Sequence, residues 1–411
     1  MEAKMKKVKV AILGFGQRGF VYANIIKNNP DLMELVSVCE INPYKKPVIM
    51  STFNISEDNY FTDYKKMYEK GKLADVLIIS TMDQDHYKQA LEALEIGYDL
   101  LLEKPIAVEK EHIIDIMEKA KQLKRKVAVA HVLRYTPFYQ KLKLLIDDDR
   151  IGKVQAISQT ENIGYFHFAH SYVRGNWRKK EDSAPMILAK ACHDLDIIKY
   201  LVNDKCVKLS SFGNLNYFKK ENAPKGSATH CYKCEVECPF NAVTFYKENP
   251  MWAMIFSLNP NIEEVFMDEN LSYAKCVYKL DNNVPDSQTV NLEFKNGVVA
   301  NLMVTAFSKE THRQIKIHGS MGEIEADLEA RKIVIKPYLG EDEIIDLSSD
   351  EVDFSFHQGG DNNLLVDFAK KIQANEDTGL LTTIEESLES HILAIDAEES
   401  RLNNGKVFTY E

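Results

Sequence analysis

The 411-residue sequence contains no run approaching the ~18 apolar residues that a membrane-spanning helix needs. Internal repeats, sustained heptads and low-complexity tracts are missing too, which argues against solenoids and coiled coils. There is no excess of positive charge. Asp and Glu number 62 against 51 Lys and Arg, and the net charge of −11 argues against a nucleic-acid partner. A local basic pocket for a small anionic ligand remains compatible with that balance. The basic start, Met1 to Lys9, leads into Val10-Ala-Ile-Leu13 but breaks at Gly14 without the apolar length of an export signal, so the expected location is the cytoplasm, with no membrane partner. The seven cysteines do not form an even disulfide framework, and three of them fall between Cys231 and Cys238. Such a cluster reads as metal-binding or redox-active before it reads as a disulfide set. What remains, 45% hydrophobic and 27% charged residues, describes a chain able to bury two cores.

Lys7 to Leu13 reads as a strand, followed at once by Gly14-Phe-Gly-Gln-Arg-Gly19 and then a helix from Arg18 to Asn28. In that order the glycines have distinct purposes: a tight turn at Gly14, close approach of backbone to a pyrophosphate at Gly16, and tight helix–strand packing at Gly19. The next strand, Glu34 to Val38, delivers Glu40 about 20 residues past the last glycine, where an acid binds a ribose. A carboxylate ~4 Å from a 2′-phosphate is repelled by ~4 kcal/mol at an effective dielectric of 20, which favours NAD over NADP. Nearby Lys45 and Lys46 act against that preference. Strands at Asp75–Ser80, Tyr98–Leu102 and Lys126–His131 alternate with helices at Asp85–Glu95 and Lys110–Leu123, the pattern of an α/β doubly wound parallel sheet. Thr81 to His86 follows a strand, placing Thr81 and His86 near the cofactor, with helix capping as the alternative for His86.

The run Asp99-Leu-Leu-Leu-Glu-Lys-Pro105 stops abruptly in charge. A buried parallel strand ending this way delivers polar groups to the carboxyl edge of the sheet, where ligands bind. Lys104 is therefore a candidate for polarising a reacting oxygen or relaying its proton; a salt bridge to Glu103 is the alternative. In Ala189-Lys-Ala-Cys-His-Asp-Leu-Asp196, Lys190, His193 and Asp196 follow one another at i,i+3 steps on a helix over Pro185–Leu201. His193 suits a general base. Lys190 either shares its proton work or pairs with Asp194.

Gly14-x-Gly16-x-x-Gly19, His86, Glu103-Lys104-Pro105 and His193-Asp194-x-Asp196 together resemble the oxidoreductases named after glucose–fructose oxidoreductase, inositol dehydrogenase and the rhizopine catabolism protein. The resemblance covers most of the chain. It implies a Rossmann domain over residues 1–150 and, over 151–411, an α+β domain with a large open, mostly antiparallel sheet. It implies an NAD(P)-dependent enzyme acting on a sugar, glycoside or cyclitol, and a homo-oligomer. Lys104 would touch both substrate and cofactor, the proline after it is often cis, and His193 would accept the substrate proton. Gln17, Arg18 and Glu103 join the glycines, Glu40, Thr81, His86 and Lys104 as cofactor candidates. The family's aspartate four residues before the histidine is missing, since Ala189 stands there. A second reading within the same fold is a glycoside-cleaving enzyme that retains NAD, oxidises a hydroxyl transiently and eliminates the aglycone.

Gly164 to Arg178 is rich in aromatic, histidine and arginine side chains, which stack on flat rings and fork onto anions or hydroxyls. His170, Arg174, Trp177 and Arg178, with His357 further on, are substrate-binding candidates; a structural interface is the alternative. Cys231-x2-Cys234-x3-Cys238 has metal-ligand spacing, and His230 offers a fourth ligand for structural zinc. A local disulfide or unliganded thiols are the alternatives. These cysteines lie in an insert at about 220–270, between strands expected near Lys208–Phe218 and Leu271–Leu280. Relatives with a comparable insert imply a structural role for it. Strands at Gln288–Phe294, Val298–Thr305 and Gln314–His318, with an Asn296-Gly297 hairpin, and helices at Asn362–Ile372, capped by Asp361, and Glu385–Leu402 complete the chain.

Overall fold

The computed structural model describes residues 6–253, 256–257, 259, 261–348, 355–376 and 378–411. Six apolar runs form one sheet: β1 (Val8–Leu13), β2 (Met33–Cys39), β3 (Tyr60–Phe61), β4 (Val76–Ile79), β5 (Asp99–Leu102) and β6 (Val127–Val129). Their spatial order is β3-β2-β1-β4-β5-β6, and every pair is parallel. All four residues of β4 are buried, as expected of a parallel strand covered on both faces. The strand order reverses between β1 and β4, and the crevice at their carboxyl ends is where such sheets bind ligands.

The chain divides into two compact units, residues 1–143 with 350–392, and residues 144–349 with 393–411. The first cut falls after Lys143. The return of 350–392 to the first unit differs from the expected single division. Its helix Gly360–Ala374 adds Leu364, Leu365 and Phe368 to the core around Val10, Ile12 and Ile78. Periodicity shows that this helix has an apolar face but not which sheet the face covers.

The second unit carries nine strands: β7 (Val154–Asn162), β8 (Cys206–Asn214), β9 (Ser287–Phe294), β10 (Val299–Thr305), β11 (His312–Gly319), β12 (Gly322–Asp327), β13 (Lys332–Pro337), β14 (Glu343–Asp346) and β15 (Phe408–Thr409). Their order is β14-β13-β12-β11-β7-β10-β9-β8-β15, antiparallel except where β7 meets β10. Burial alternates along β10, so one face of the sheet is covered while Val299 and Met303 stand exposed on the other. Gly297, at φ +86°, turns the hairpin between β9 and β10.

Two local expectations are corrected. Leu271–Leu280 forms no strand but a 3-10 turn at Ser272–Ala274, because Tyr273 and Ala274 bury themselves in the small core of the insert with Tyr246 and Phe266. Asp361 does not cap its helix. Gly359 is the cap, and the Asp361 carboxylate is taken by Arg18. Among the described residues, no helix is long and apolar enough to cross a membrane.

Candidate active site

The glycine loop after β1 separates packing from binding. A Cβ on Gly14 (φ +86°) would sit 2.6 Å from the Ser80 carbonyl oxygen, and one on Gly19 would sit 2.3 Å from the Gly14 oxygen. Both glycines are required by the fold itself. A Cβ on Gly16 would meet nothing within 4 Å among the described residues. Gly16 therefore leaves open space at the start of the helix Gln17–Asn28, whose N-terminus carries no side-chain cap. Bare backbone N–H groups beside open space suit a pyrophosphate.

Glu40, just past β2, is tied to the same loop. Its carboxylate accepts the Phe15 N–H at 2.9 Å and the Asn42 N–H at 2.8 Å. Lys45 lies 3.4 Å from that carboxylate and donates to the Phe15 oxygen at 3.0 Å, while Lys46 pairs with Glu57. Of the two lysines that act against an NAD preference, Lys46 is thus drawn to Glu57, while Lys45 lies against Glu40 itself. Thr81, beyond β4, donates to Gln89 at 2.6 Å.

Glu103 is a buried anchor in this structure. It accepts from Arg18 and from the Tyr22 hydroxyl at 2.6 Å, and its other oxygen accepts the Lys104 N–H at 3.1 Å. Arg18 also forks onto Asp361, which pairs with His357 at 2.8 Å. Burial pushes the Glu103 carboxyl up, but Arg18 and Lys104 outweigh it and hold it below its ordinary range. Asp361 is likewise held down, burial being outweighed by Arg18 and His357. Arg18, Glu103 and His357 thus form one electrostatic unit behind the Lys104 backbone. Tyr22 and Asp361 complete it, and neither carries a motif that would have singled it out.

Lys104 follows β5 directly, and the Lys104–Pro105 peptide is cis. His86 is fully buried, with Nδ1 2.7 Å from the Pro105 oxygen and Nε2 3.3 Å from the Thr81 oxygen. It fastens the loop carrying Lys104 to the loop after β4.

In the second unit, Lys190 and His193 stand on the helix Met186–Val202. Lys190 pairs with Glu161 of β7 at 3.1 Å and not with Asp194 as its sequence alternative supposed. Arg313 bridges Glu161 at 2.8 Å and Asp194 at 2.9 Å, and Gln159 donates to Asp194 at 2.7 Å. Burial raises both carboxyls. Arg313 and Lys190 reverse this at Glu161, which ends below its ordinary range, while Asp194 ends above it. Two cations and two buried carboxyls therefore support the helix that carries His193. Glu161, unmarked in the sequence, brings a carboxylate to Lys190 although Ala189 provides none.

The Gly164–Arg178 segment turns largely inward. His170 meets the Tyr246 hydroxyl at 2.6 Å, and burial followed by Arg174 lowers its imidazole to about 4. Arg174 is 3% exposed and donates to Lys275 O, Phe240 O and the Cys231 sulfur. Arg178 pairs with Asp281, and Trp177 keeps partial exposure. His170 and Arg174 hold the cysteine insert from below. His230 directs Nε2 to the Glu269 oxygen at 3.0 Å.

A parallel sheet in Rossmann order, an open glycine loop and an acid fastened to that loop define a dinucleotide-binding fold of the oxidoreductase class. Residues 8–131 match the model of the oxidoreductase family with an NAD-binding Rossmann fold (GFO_IDH_MocA), and residues 139–325 match the GFO/IDH/MocA C-terminal domain. The chain belongs to the GFO/IDH/MocA family. It is similar to an inositol 2-dehydrogenase/D-chiro-inositol 3-dehydrogenase of Lactiplantibacillus plantarum, 26% identical over 211 residues, which is 51% of this chain and 57% of that protein. The chain spans about six-tenths or less of the length of the curated relatives it matches, 60% and 57% for two of them. Among solved structures, an inositol dehydrogenase homologue of Azotobacter vinelandii complexed with NADH and myo-inositol superposes with a TM-score of 0.72 at 15% identity, covering 99% of each chain. An Agrobacterium radiobacter oxidoreductase in complex with NAD+, L-tartaric acid and magnesium gives 0.70 at 16% identity, covering 98% of each. At these identities the likeness speaks for the fold.

Proposed function

We propose that the protein is an NAD-dependent oxidoreductase acting on a secondary hydroxyl, or the matching carbonyl, of a sugar, glycoside or cyclitol. The observation that carries this reading is the space at Gly16, which none of the described residues fills, beside Glu40 fastened to the same loop. Family membership and the inositol dehydrogenases among the relatives support the substrate class. Bound nicotinamide would supply the hydride acceptor. Gly14 to Gly19 would bind the pyrophosphate and Glu40 the ribose hydroxyls. Lys46 is drawn to Glu57, while Lys45 lies against Glu40 itself and offsets part of its charge; Glu40, held by the Phe15 and Asn42 N–H groups, still disfavours a 2′-phosphate, and NAD is preferred.

Lys104 would polarise the substrate oxygen and His193 would take its proton. Lys190, paired with Glu161, would favour the deprotonated form of that oxygen. Trp177 would stack on a substrate ring. The open face of the nine-stranded sheet, with Val299 and Met303 exposed, is the proposed surface for a homo-oligomer.

The test is incubation with NAD+ or NADP+ and a panel of cyclitols, aldoses and chromogenic glycosides, following reduced nicotinamide and released aglycone together. NADH formation with a cyclitol or sugar is expected. Aglycone release without net NADH would replace this reading with transient oxidation and elimination. Neither signal across the panel would contradict both.

A further inference from the structure

The insert of the second unit carries a feature that the proposed reaction does not use. Cys231, Cys234, Cys238 and Cys276 line one cavity of about 20 Å³, and none is in a disulfide. Cys276 lies far along the chain from the other three and has no motif around it. The backbone brings it in. His230 and Lys275 form an antiparallel bridge, and the Cys276 N–H donates to the Thr229 oxygen at 2.9 Å. Neighbouring residues of an extended segment point to opposite sides. Cys231 accordingly faces the cavity, while His230 reaches the Glu269 oxygen.

Each sulfur-bearing segment is further ordered. Cys231–Lys233 forms a tight turn that closes with the Cys234 N–H on the Cys231 oxygen at 3.1 Å. The Ala228 N–H donates to the Cys234 sulfur at 3.4 Å. Arg174 contacts the Cys231 sulfur at 3.6 Å and also donates to Phe240 O at 2.6 Å and Lys275 O at 2.9 Å, binding both cysteine-bearing segments. A buried guanidinium and an N–H aimed at sulfur are the kind of neighbours that surround a metal-bound sulfur. A cavity of about 20 Å³ admits about one water-sized sphere, room for a single ion. Four sulfur donors with no carboxylate select a soft ion that accepts tetrahedral geometry.

We propose that Cys231, Cys234, Cys238 and Cys276 form a closed structural site for one zinc-class divalent cation, with Arg174 as the neighbouring counter-charge. Cys276, not His230, is the fourth ligand. Binding releases the thiol protons to solvent and needs no oxidant. Ligation would tighten the insert around the cavity that the four cysteines line. Its apolar core is small, built around Tyr246, Phe266 and Tyr273, and an added cross-link there has a large effect on local stability.

The test is metal analysis of the full chain purified under reducing conditions, together with cobalt(II) reconstitution of the wild type. About one zinc per chain and an intense sulfur-to-cobalt absorption band are expected. Zinc should fall to background in Cys276→Ser and persist in His230→Ala. Loss of zinc in His230→Ala with retention in Cys276→Ser would overturn the ligand set. Absence of both zinc and the cobalt band in reduced wild-type protein, or disulfides among these cysteines in protein that was never exposed to oxidant, would overturn the site. The cobalt spectrum needs no variant, so misfolding of Cys276→Ser cannot conceal the answer.

Discussion

His86 and His391 hold opposite ends of one peptide group. His86 Nδ1 lies 2.7 Å from the Pro105 carbonyl oxygen, and His391 Nε2 accepts the Ile106 N–H at 3.0 Å. His391 Nδ1 in turn donates to the Ser387 oxygen at 2.8 Å, which fixes its tautomer with Nε2 as acceptor. The two rings thus set the plane of the peptide immediately after Lys104–Pro105. His391→Ala leaves a buried N–H without its acceptor and should cost ~1–3 kcal/mol of stability. By shifting Lys104 it should lower turnover by as much as ~100-fold, with NAD+ affinity retained. Denaturant melts and steady-state kinetics on the same preparation check both effects.

The glycine loop gives a paired expectation. Gly16→Ala places a methyl where the described residues have no atom within 4 Å, so the melting transition should not move while NAD+ affinity falls at least ~10-fold. Gly19→Ala drives a methyl to 2.3 Å from the Gly14 oxygen and should destabilise by ~1–3 kcal/mol. Calorimetric binding and thermal melts of the two variants separate the glycine kept for the ligand from the one kept for the fold.

His170 sets an acid limit on the second unit. Burial, with Arg174, lowers its imidazole from 6.5 to about 4, so the fold refuses a proton that the unfolded chain accepts. Its stabilisation is complete above pH 6.5 and is lost as pH falls toward 4, by up to ~1.4 kcal/mol per pH unit. Both tryptophans, Trp177 and Trp252, belong to the second unit, and Trp252 packs on His170 at 4.8 Å between ring centroids. Urea melts followed by tryptophan fluorescence should show that slope, and His170→Phe should flatten it.

The strands and the glycine loop were legible because their signals are local: an apolar run, then three glycines at fixed spacing, then an acid at the right distance. The same holds for the Asn296-Gly297 hairpin. Long-range electrostatics left no such trace. Asp361 reads as a helix cap until Arg18, distant in sequence, takes its carboxylate. Glu161 reads as an ordinary strand residue, and only the fold brings it to Lys190 and Arg313. His170 and Arg174 suggested ligand contacts by residue type, yet their partners are Tyr246, Phe240 and Lys275. Cys276 had no neighbouring cysteine to mark it. Residue chemistry can be read from a sequence, but a side chain's partner is fixed only by topology.

Lys104, presented by β5 and its clamped loop, is proposed to act on the substrate oxygen while other residues hold the cofactor. Turnover of Lys104→Ala with its best substrate, measured beside calorimetric NAD+ binding, tests this most directly. A fall of ~100-fold or more in turnover with NAD+ still bound is predicted. Near-wild-type turnover in that variant would contradict the account.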